Sequence, residues 1–249
     1  MPNAVPYVGP NRLLSSLSQE DYALLSPHLG PVLLTIHQRL EVANEFPESI
    51  YFPEGGVASV AAMVGSQKDF DVGLIGWEGM TGASVLFGAP SPFNCYVLFV
   101  GPALEMPARA FMDSVSASST LRSAVFLYSH ALSIQTAYTA LASARASIIE
   151  RVARSLVMIY DRVDAVKYRV THDKLAGILG VRRPGVTNSI HQLQDEHLIK
   201  STRGEVQILD LGGLRIRSGA AYGQTERSYE ELIEVVDPTM VPIKFRSGP

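Results

Sequence analysis

The pattern of apolar and polar positions changes character twice along the chain. After an irregular start holding three prolines, Ser18-Gln19-Glu20-Asp21 has the form of a helix N-cap with acidic residues in the first turn. Leu24 and Leu25 supply its apolar face, and Pro27 and Gly30-Pro31 end it. From Val32 to about Met112 short apolar runs alternate with Gly, Pro and Asn turn signals: VLLTI, SIYF, VASVAAMV, VGLIG and CYVLFV. Turn signals at Glu54-Gly55-Gly56, Gly79, Gly88-Ala89-Pro90 and Gly101-Pro102 predict an antiparallel β-roll or sandwich, because a parallel sheet needs helices between its strands. Gly76-Trp77-Glu78-Gly79 reads as a turn with two permissive glycines.

From about Ala117 to Asp164 there is neither Gly nor Pro, and apolar residues recur at helical spacing. The stripe Leu121, Val125, Tyr128, Leu132, Gln135, Thr139 alternates steps of four and three like a coiled-coil seam, which assigns it to a dimer interface. Leu127, Ala131, Ile134, Tyr138 and Leu141 form a second stripe beside it. Two adjacent apolar faces call for two coverings, the strand domain and a second copy; the plainer alternative is one long core helix. Ser147-Ile148-Ile149-Glu150 has the form of a capping box that opens a new helix with Ile148, Val152, Leu156 and Ile159 buried, so a hinge is expected near Ala146.

The most specific pattern lies at 170–210. Thr171 caps a helix with Leu175, Ile178 and Leu179 facing inward, and Ala176 admits a crossing helix. Gly180 suits the left-handed position of a tight turn, and Val181 plugs the space behind it. A second helix begins near Arg182-Arg183-Pro184, where proline costs no internal hydrogen bond. Val186, Ile190 and Leu193 face inward, while Arg183, Thr187, Asn188 and His191 face outward. This spacing is a helix-turn-helix, which presents the N-terminal end of one short helix to a major groove about 12 Å wide. The strands around Ser201-Thr202-Arg203-Gly204-Glu205 form its wing, with Lys200 and Arg203 placed to meet phosphates. The alternative is a helical hairpin that only packs.

Length and composition fit this division. The 249 residues, 47% hydrophobic and 18% charged, suit two modest globular domains and exclude a disordered chain. No apolar run reaches membrane-spanning length and the N-terminus lacks a secretory pattern, so a cytoplasmic protein is expected. The net charge of −3 is uneven: residues 1–144 carry 5 basic against 11 acidic side chains, and 145–217 carry 13 against 8. A polyanion would therefore dock on the rear segment. The single Cys95 excludes an internal disulfide and cysteine-ligated clusters, and its apolar neighbours favour an inert thiol. Nucleophile elbow, phosphate-loop and zinc-hydrolase motifs are all missing, so an enzyme is not expected. His191 and Asp195 share a helix face, but a solvated face accounts for them better than a metal site.

Over residues 12–217, and most strongly at LAGILGVRRPGVTNSIHQLQDEHLI and ILDLGGL, the chain resembles the Crp-Fnr family of bacterial transcription regulators. VGLIGWEGMTG and GVRRPGVT are similar to phrases of a branch whose ligand is unassigned. The resemblance implies an α+β chain: a cyclic-nucleotide-binding-like β-roll (12–116), a dimerisation helix (117–146), a winged helix-turn-helix (147–217) and a tail (218–249), acidic and then Pro-rich, either one short helix or mobile. It further implies a homodimer on a near-palindromic site in double-stranded DNA, with RNA polymerase as a further partner.

In the cyclic-AMP receptor type the recognition helix begins Arg-Glu, with a second Arg one turn later. Arg183 keeps the first position, but Pro184 and Asn188 stand at the other two, so site preference is expected to differ. Arg183, Thr187, Asn188 and His191 are then the base readers, and Thr171, His172, Arg182, Lys200 and Arg203 the phosphate contacts. His191 also reads as a plain solvent-facing helix residue. Cyclic-nucleotide binders of this type cradle phosphate with a Gly-Glu pair and a following Arg. Gly82-Ala83-Ser84-Val85 and Phe93-Asn94-Cys95 stand there instead, without either charge. A pocket near Gly82, Ala83, Ser84, Asn94 and Thr136 is expected to take something less charged than cyclic AMP or cyclic GMP. Haem would need His28, His37 or His130, but a lone histidine is ordinarily structural, and no cofactor is expected. Two rivals stay open: a sensor or interaction protein of this architecture without specific DNA binding, and a regulator gated by a cyclic nucleotide through altered pocket chemistry.

Overall fold

The alternating runs between residues 30 and 107 pair into two antiparallel sheets packed as a roll. The computed structural model describes residues 6–63, 70–163 and 165–229. One sheet is built from β1 (Gly30–Leu34), β3 (Ser49–Pro53) and β7 (Gly101–Pro107), with β7 in the middle. The other contains β2 (Arg39–Glu41), β4 (Val57–Ala62), β5 (Phe70–Ile75) and β6 (Asn94–Phe99), in the order β2-β6-β4-β5. Inward positions alternate as a half-buried sheet requires: Ile50 and Phe52 on β3 stand opposite Met106 and Leu104 on β7. The sequence pattern misses β2 and β7. Gly101-Pro102 opens β7 instead of closing a hairpin, and Gly101 lies so close to the backbone of Gly55 and Gly56 that a side chain has no room.

Two short helices, α1 (Arg12–Ser15) and α2 (Gln19–Leu25), cover one end of the roll. Ser18 caps α2 by accepting the Asp21 N–H, as its pattern predicts. The long helical stretch starts at Ala108, not near Ala117. α3 (Ala108–Ala117) buries Phe111 and Val115, breaks at Ser118, and Ser118 caps α4 (Ser119–Arg145).

The first apolar stripe of α4 serves a purpose other than the one its spacing suggests. Leu121, Val125 and Tyr128 are buried in the roll's own core, and the Tyr128 hydroxyl donates to the Met80 carbonyl at 2.6 Å. Gln135 is fully buried and pairs both ways with the Leu74 backbone, at 2.5 and 3.1 Å. Leu132 packs against the roll, and Thr139 accepts from Arg154 at 3.2 Å. All six residues assigned to a dimer seam therefore face their own chain. Periodicity identifies an apolar face without naming the surface that covers it. The face left open carries Phe126, 39% exposed, His130, Ala137 and Leu141, 48% exposed, with Ile134 and Tyr138 half-buried at its edge.

α4 ends at Ala146, and Ser147 opens α5 (Ile148–Tyr160) with both halves of the capping box in place. Ile148 is 38% exposed; Ile149, Val152, Ala153 and Leu156 form the buried face instead. β8 (Lys167–Arg169), α6 (His172–Leu179), α7 (Arg183–Asp195), β9 (Ile199–Thr202), β10 (Glu205–Ile208) and α8 (Leu211–Arg217) complete the rear unit. Its small antiparallel sheet has the order β8-β10-β9.

The two units are tied through polar contacts. Arg162 donates to Glu78 at 2.7 Å with both side chains buried, and the Trp77 indole donates to the Asp161 carbonyl at 2.8 Å. The 76–79 turn is closed by Gly79 N–H to Gly76 carbonyl. Its glycines are needed for space: a Cβ at Gly79 would overlap the Tyr128 ring, and one at Gly76 the Arg162 stem. Lys174 of α6 donates to the Leu98 carbonyl and covers the Phe99 ring.

Residues 218–229 are part of the fold, and 224–229 are helical. Tyr222 donates to Asp161 at 2.6 Å, Arg154 donates to the Ala221 carbonyl, and Tyr229 packs beside Tyr128. The rest of the expected tail lies outside the described residues. Among the described residues no helix is long and apolar enough to cross a membrane.

Candidate nucleic-acid interface

α6 and α7 take their positions from short-range signals. Thr171 accepts the Lys174 N–H at 3.1 Å and starts α6. Gly180 adopts φ +60°, and the Phe70 ring lies where a side chain would go. The Val181 N–H donates to the Ala176 carbonyl at 3.1 Å, which closes the turn. Val186, Ile190 and Leu193 are fully buried and anchor α7 in the core formed with α5. Pro184 sits in the first turn of α7, where no donor is lost.

This packing turns one face of α7 outward. Arg182, Arg183, Asn188 and His191 are all exposed. Arg183 comes within 3.5 Å of Asp173, but both are well exposed, so the pair holds the guanidinium only weakly. Thr187 is half-buried, with its hydroxyl 3.0 Å from His172 Nδ1. It therefore fastens α7 to α6. Partial burial lowers the His172 pKa, and nearby Arg183 and His191 push the same way against Asp173.

The wing is a hairpin of β9 and β10 with Gly204 at φ +75° near its tip. Lys200 and Arg203 are exposed on it. β8 adds two cations that the motif reading missed, Lys167 and Arg169, which flank Glu205 at 2.6 and 3.7 Å. Their signal was the alternation Lys-Tyr-Arg, with Tyr168 buried between two outward cations.

In the roll, Gly82, Ala83, Ser84 and Thr136 line one cavity of about 670 Å³. Asn94 does not line it; its side chain accepts the Ala43 N–H at 3.0 Å instead. Glu41, which sequence reasoning overlooked, does line it, and its buried carboxylate accepts the Gly82 N–H at 2.7 Å. No Lys or Arg is among the described lining residues. Cys95 is buried, and burial pushes its thiol well above the usual range. His28 and His37 lie in exposed turns, and His130 lies at the cavity rim.

The model of the Crp-like helix-turn-helix domain matches residues 150–217. Residues 150–217 therefore form a Crp-like helix-turn-helix domain. A comparison with curated sequences finds no match. Among solved structures it is similar to a CRP-family transcriptional regulator from Thermus thermophilus, at 16% identity and TM-score 0.62, over 76% of this chain and 97% of that one. FixK2 from Bradyrhizobium japonicum matches at 12% identity and TM-score 0.66, over 77% and 98%. The c-di-GMP-responsive global regulator CLP from Xanthomonas campestris matches at 15% and 0.62, over 77% and 99%. At such identities these likenesses establish the fold: the Crp-Fnr arrangement of antiparallel roll, long helix and helix-turn-helix.

Proposed function

We propose that this Crp-Fnr chain is a sequence-specific DNA-binding transcription regulator that acts as a cytoplasmic homodimer on a near-palindromic site, with RNA polymerase as a further partner. The observation that carries this reading is the open tip of α7: Arg182, Arg183, Asn188 and His191 reach solvent while Val186, Ile190 and Leu193 hold the helix from behind. In a major groove Arg183 meets the O6 and N7 acceptors of guanine with two parallel donors, and Asn188 matches the N6 and N7 edge of adenine. Arg182, Thr171, Lys200 and Arg203 take phosphates and set register. Lys167 and Arg169 extend the same basic rim.

Pairing follows the open face of α4. Phe126, His130, Ile134, Tyr138 and Leu141 recur at steps of four and three, which supports a helix-to-helix seam with a second copy. The long helices then set the half-site spacing, with residues 12–116 as the sensor roll and 147–217 as the reading head. Replacing Phe126 and Leu141 together by Glu is expected to yield single subunits in sedimentation velocity, with the far-UV spectrum of the folded chain retained because both side chains are partly open in the single subunit. A dimer that survives the double substitution rules out this seam.

The cavity beside Gly82 is the effector site in this reading. Among the described lining residues no Lys or Arg faces it, so a cyclic phosphate would lose its water without a charged partner. Calorimetry with millimolar cyclic AMP or cyclic GMP is expected to give neither heat nor a melting shift, and a shift of several degrees would restore the cyclic-nucleotide alternative. DNA binding itself is tested by mobility shift on fragments from the upstream region of the protein's own gene. Retardation that weakens steeply with salt supports the regulator, and none on any fragment, with or without cell extract, favours the sensor protein that has lost specific binding.

A further inference from the structure

We infer that the roll cavity takes a neutral, largely apolar ligand presenting an N–H or O–H donor to Glu41, and that it turns anions away. This rests on the reading of that cavity as the effector site and adds the chemical class of the effector. Its volume, about 670 Å³, lies in the range that encloses a drug-sized molecule. Val60, Ile75, Phe93 and Leu132 form apolar walls, and Phe87 and Phe126 stand edge to face with their ring centroids 5.7 Å apart, both partly open to solvent. The two rings touch each other at this spacing and leave their outer faces to pack beside an apolar body.

The polar groups of the cavity are few, and almost all are uncharged hydroxyls. Ser84 lines the cavity, and its Oγ is buried without a hydrogen-bond partner. The one carboxylate is Glu41, on β2. It accepts the N–H of Gly82, where the chain enters the short 3-10 turn Ala83–Phe87 at φ +75°. The backbone donor at this corner is thus already satisfied from within by an acid. Burial raises the Glu41 pKa, while the Gly82 N–H and the Ser91 hydroxyl pull it back. In either protonation state an incoming anion meets no Lys or Arg among the described lining residues, only His130 at the rim. Its lost hydration is therefore not replaced. A neutral donor meets a carboxylate oxygen, a charge-assisted bond.

The same cavity touches α4 through Phe126, Ser129 and Ser133, one turn apart along the helix. Phe126 also belongs to the face assigned above to the partner copy. An occupant therefore presses on the element that sets the spacing of the reading heads.

Two fluorescent probes of one framework separate charge from shape. N-phenyl-1-naphthylamine is neutral with a single N–H; 8-anilino-1-naphthalenesulfonate adds a sulfonate. With the full-length protein and no DNA present, the neutral probe is expected to saturate at one per chain, and the sulfonate to bind at least about tenfold more weakly. Ser129→Trp fills the cavity from the half-exposed face of α4 and is expected to abolish binding of the neutral probe. Glu41→Gln keeps an acceptor but removes the charge, and is expected to narrow the gap between the probes. Equal binding of both probes by the wild-type protein, or full binding of the neutral probe by Ser129→Trp, overturns the inference. Should Glu41→Gln fail to fold, the wild-type and Ser129→Trp measurements decide alone. A protein that retards DNA yet fails these probe measurements refutes the ligand class and leaves the regulator reading standing.

Discussion

Replacing Arg183 by Ala is expected to weaken binding to the preferred site by about 1–3 kcal/mol and to abolish preference at one base position in each half-site. The expectation follows from geometry. Arg183 stands in the first turn of α7, 64% exposed, with only an exposed carboxylate beside it, so its planar donors are free to align on a guanine edge. Arg203, on the wing tip, provides the contrast. Arg203→Ala is expected to weaken binding to all sequences alike and to reduce the salt slope by about one, as loss of one phosphate contact does. Titrations of both variants against a panel of single-base site changes check this. Unaltered selectivity in Arg183→Ala would mean that another residue reads the base.

The largest effect on stability is expected at the joint between the two units. Arg162 is fully buried, gives Nε to Glu78 and Nη1 to the Met158 carbonyl at 3.0 Å, and leaves Nη2 without a partner. Glu78 is equally buried, and its other oxygen accepts the Gly76 N–H at 3.1 Å. Glu78→Ala would strand a guanidinium in the interior, a change that costs about 3–5 kcal/mol. Urea unfolding is expected to show a loss of that size. Glu78→Leu combined with Arg162→Met is expected to recover most of it, because removing both charges also removes the cost of burying them. A loss under about 1 kcal/mol in the single variant would mean that water reaches the pair.

This joint also shows where sequence patterns stop being informative. The capping box at Ser147, the left-handed Gly180 and the buried triplet Val186, Ile190 and Leu193 were legible because each depends on residues within a few positions of one another. The reading helix was legible for the same reason. The partner of a face was not. The stripe from Leu121 to Gln135 has a seam's spacing, yet its own roll covers it, since the 3.6-residue period records burial without naming the covering surface. Strand β7 was hidden because Gly101, Pro102 and Glu105 break the alternation of a strand that its two neighbours hold in register. Glu41 looked like one acid among many, and only the fold brings it across the roll to Gly82. The same holds for Tyr222 and Tyr229: nothing local marks them, and their partners Asp161 and Tyr128 lie far back along the chain.

Asp161 shows how closely the joint is built. Burial pushes its carboxyl up to about 6, against the pull of the Tyr222 hydroxyl and the Arg162 and Arg215 guanidinia. It binds the segment after the reading head to the end of α5, while its backbone carbonyl holds Trp77 of the roll. The rear unit thus meets the roll at Asp161-Arg162, beside the contacts of Lys174 with Leu98 and Phe99 and of Gly180 with Phe70.

Selection of bound duplexes from a random-sequence DNA pool asks whether two such heads read one site together. The expected product is an inverted repeat whose half-site centres lie about 34 Å, one helical turn, apart, with a guanine at the position that Arg183→Ala relaxes. A single asymmetric half-site, or no enrichment over the starting pool, contradicts it.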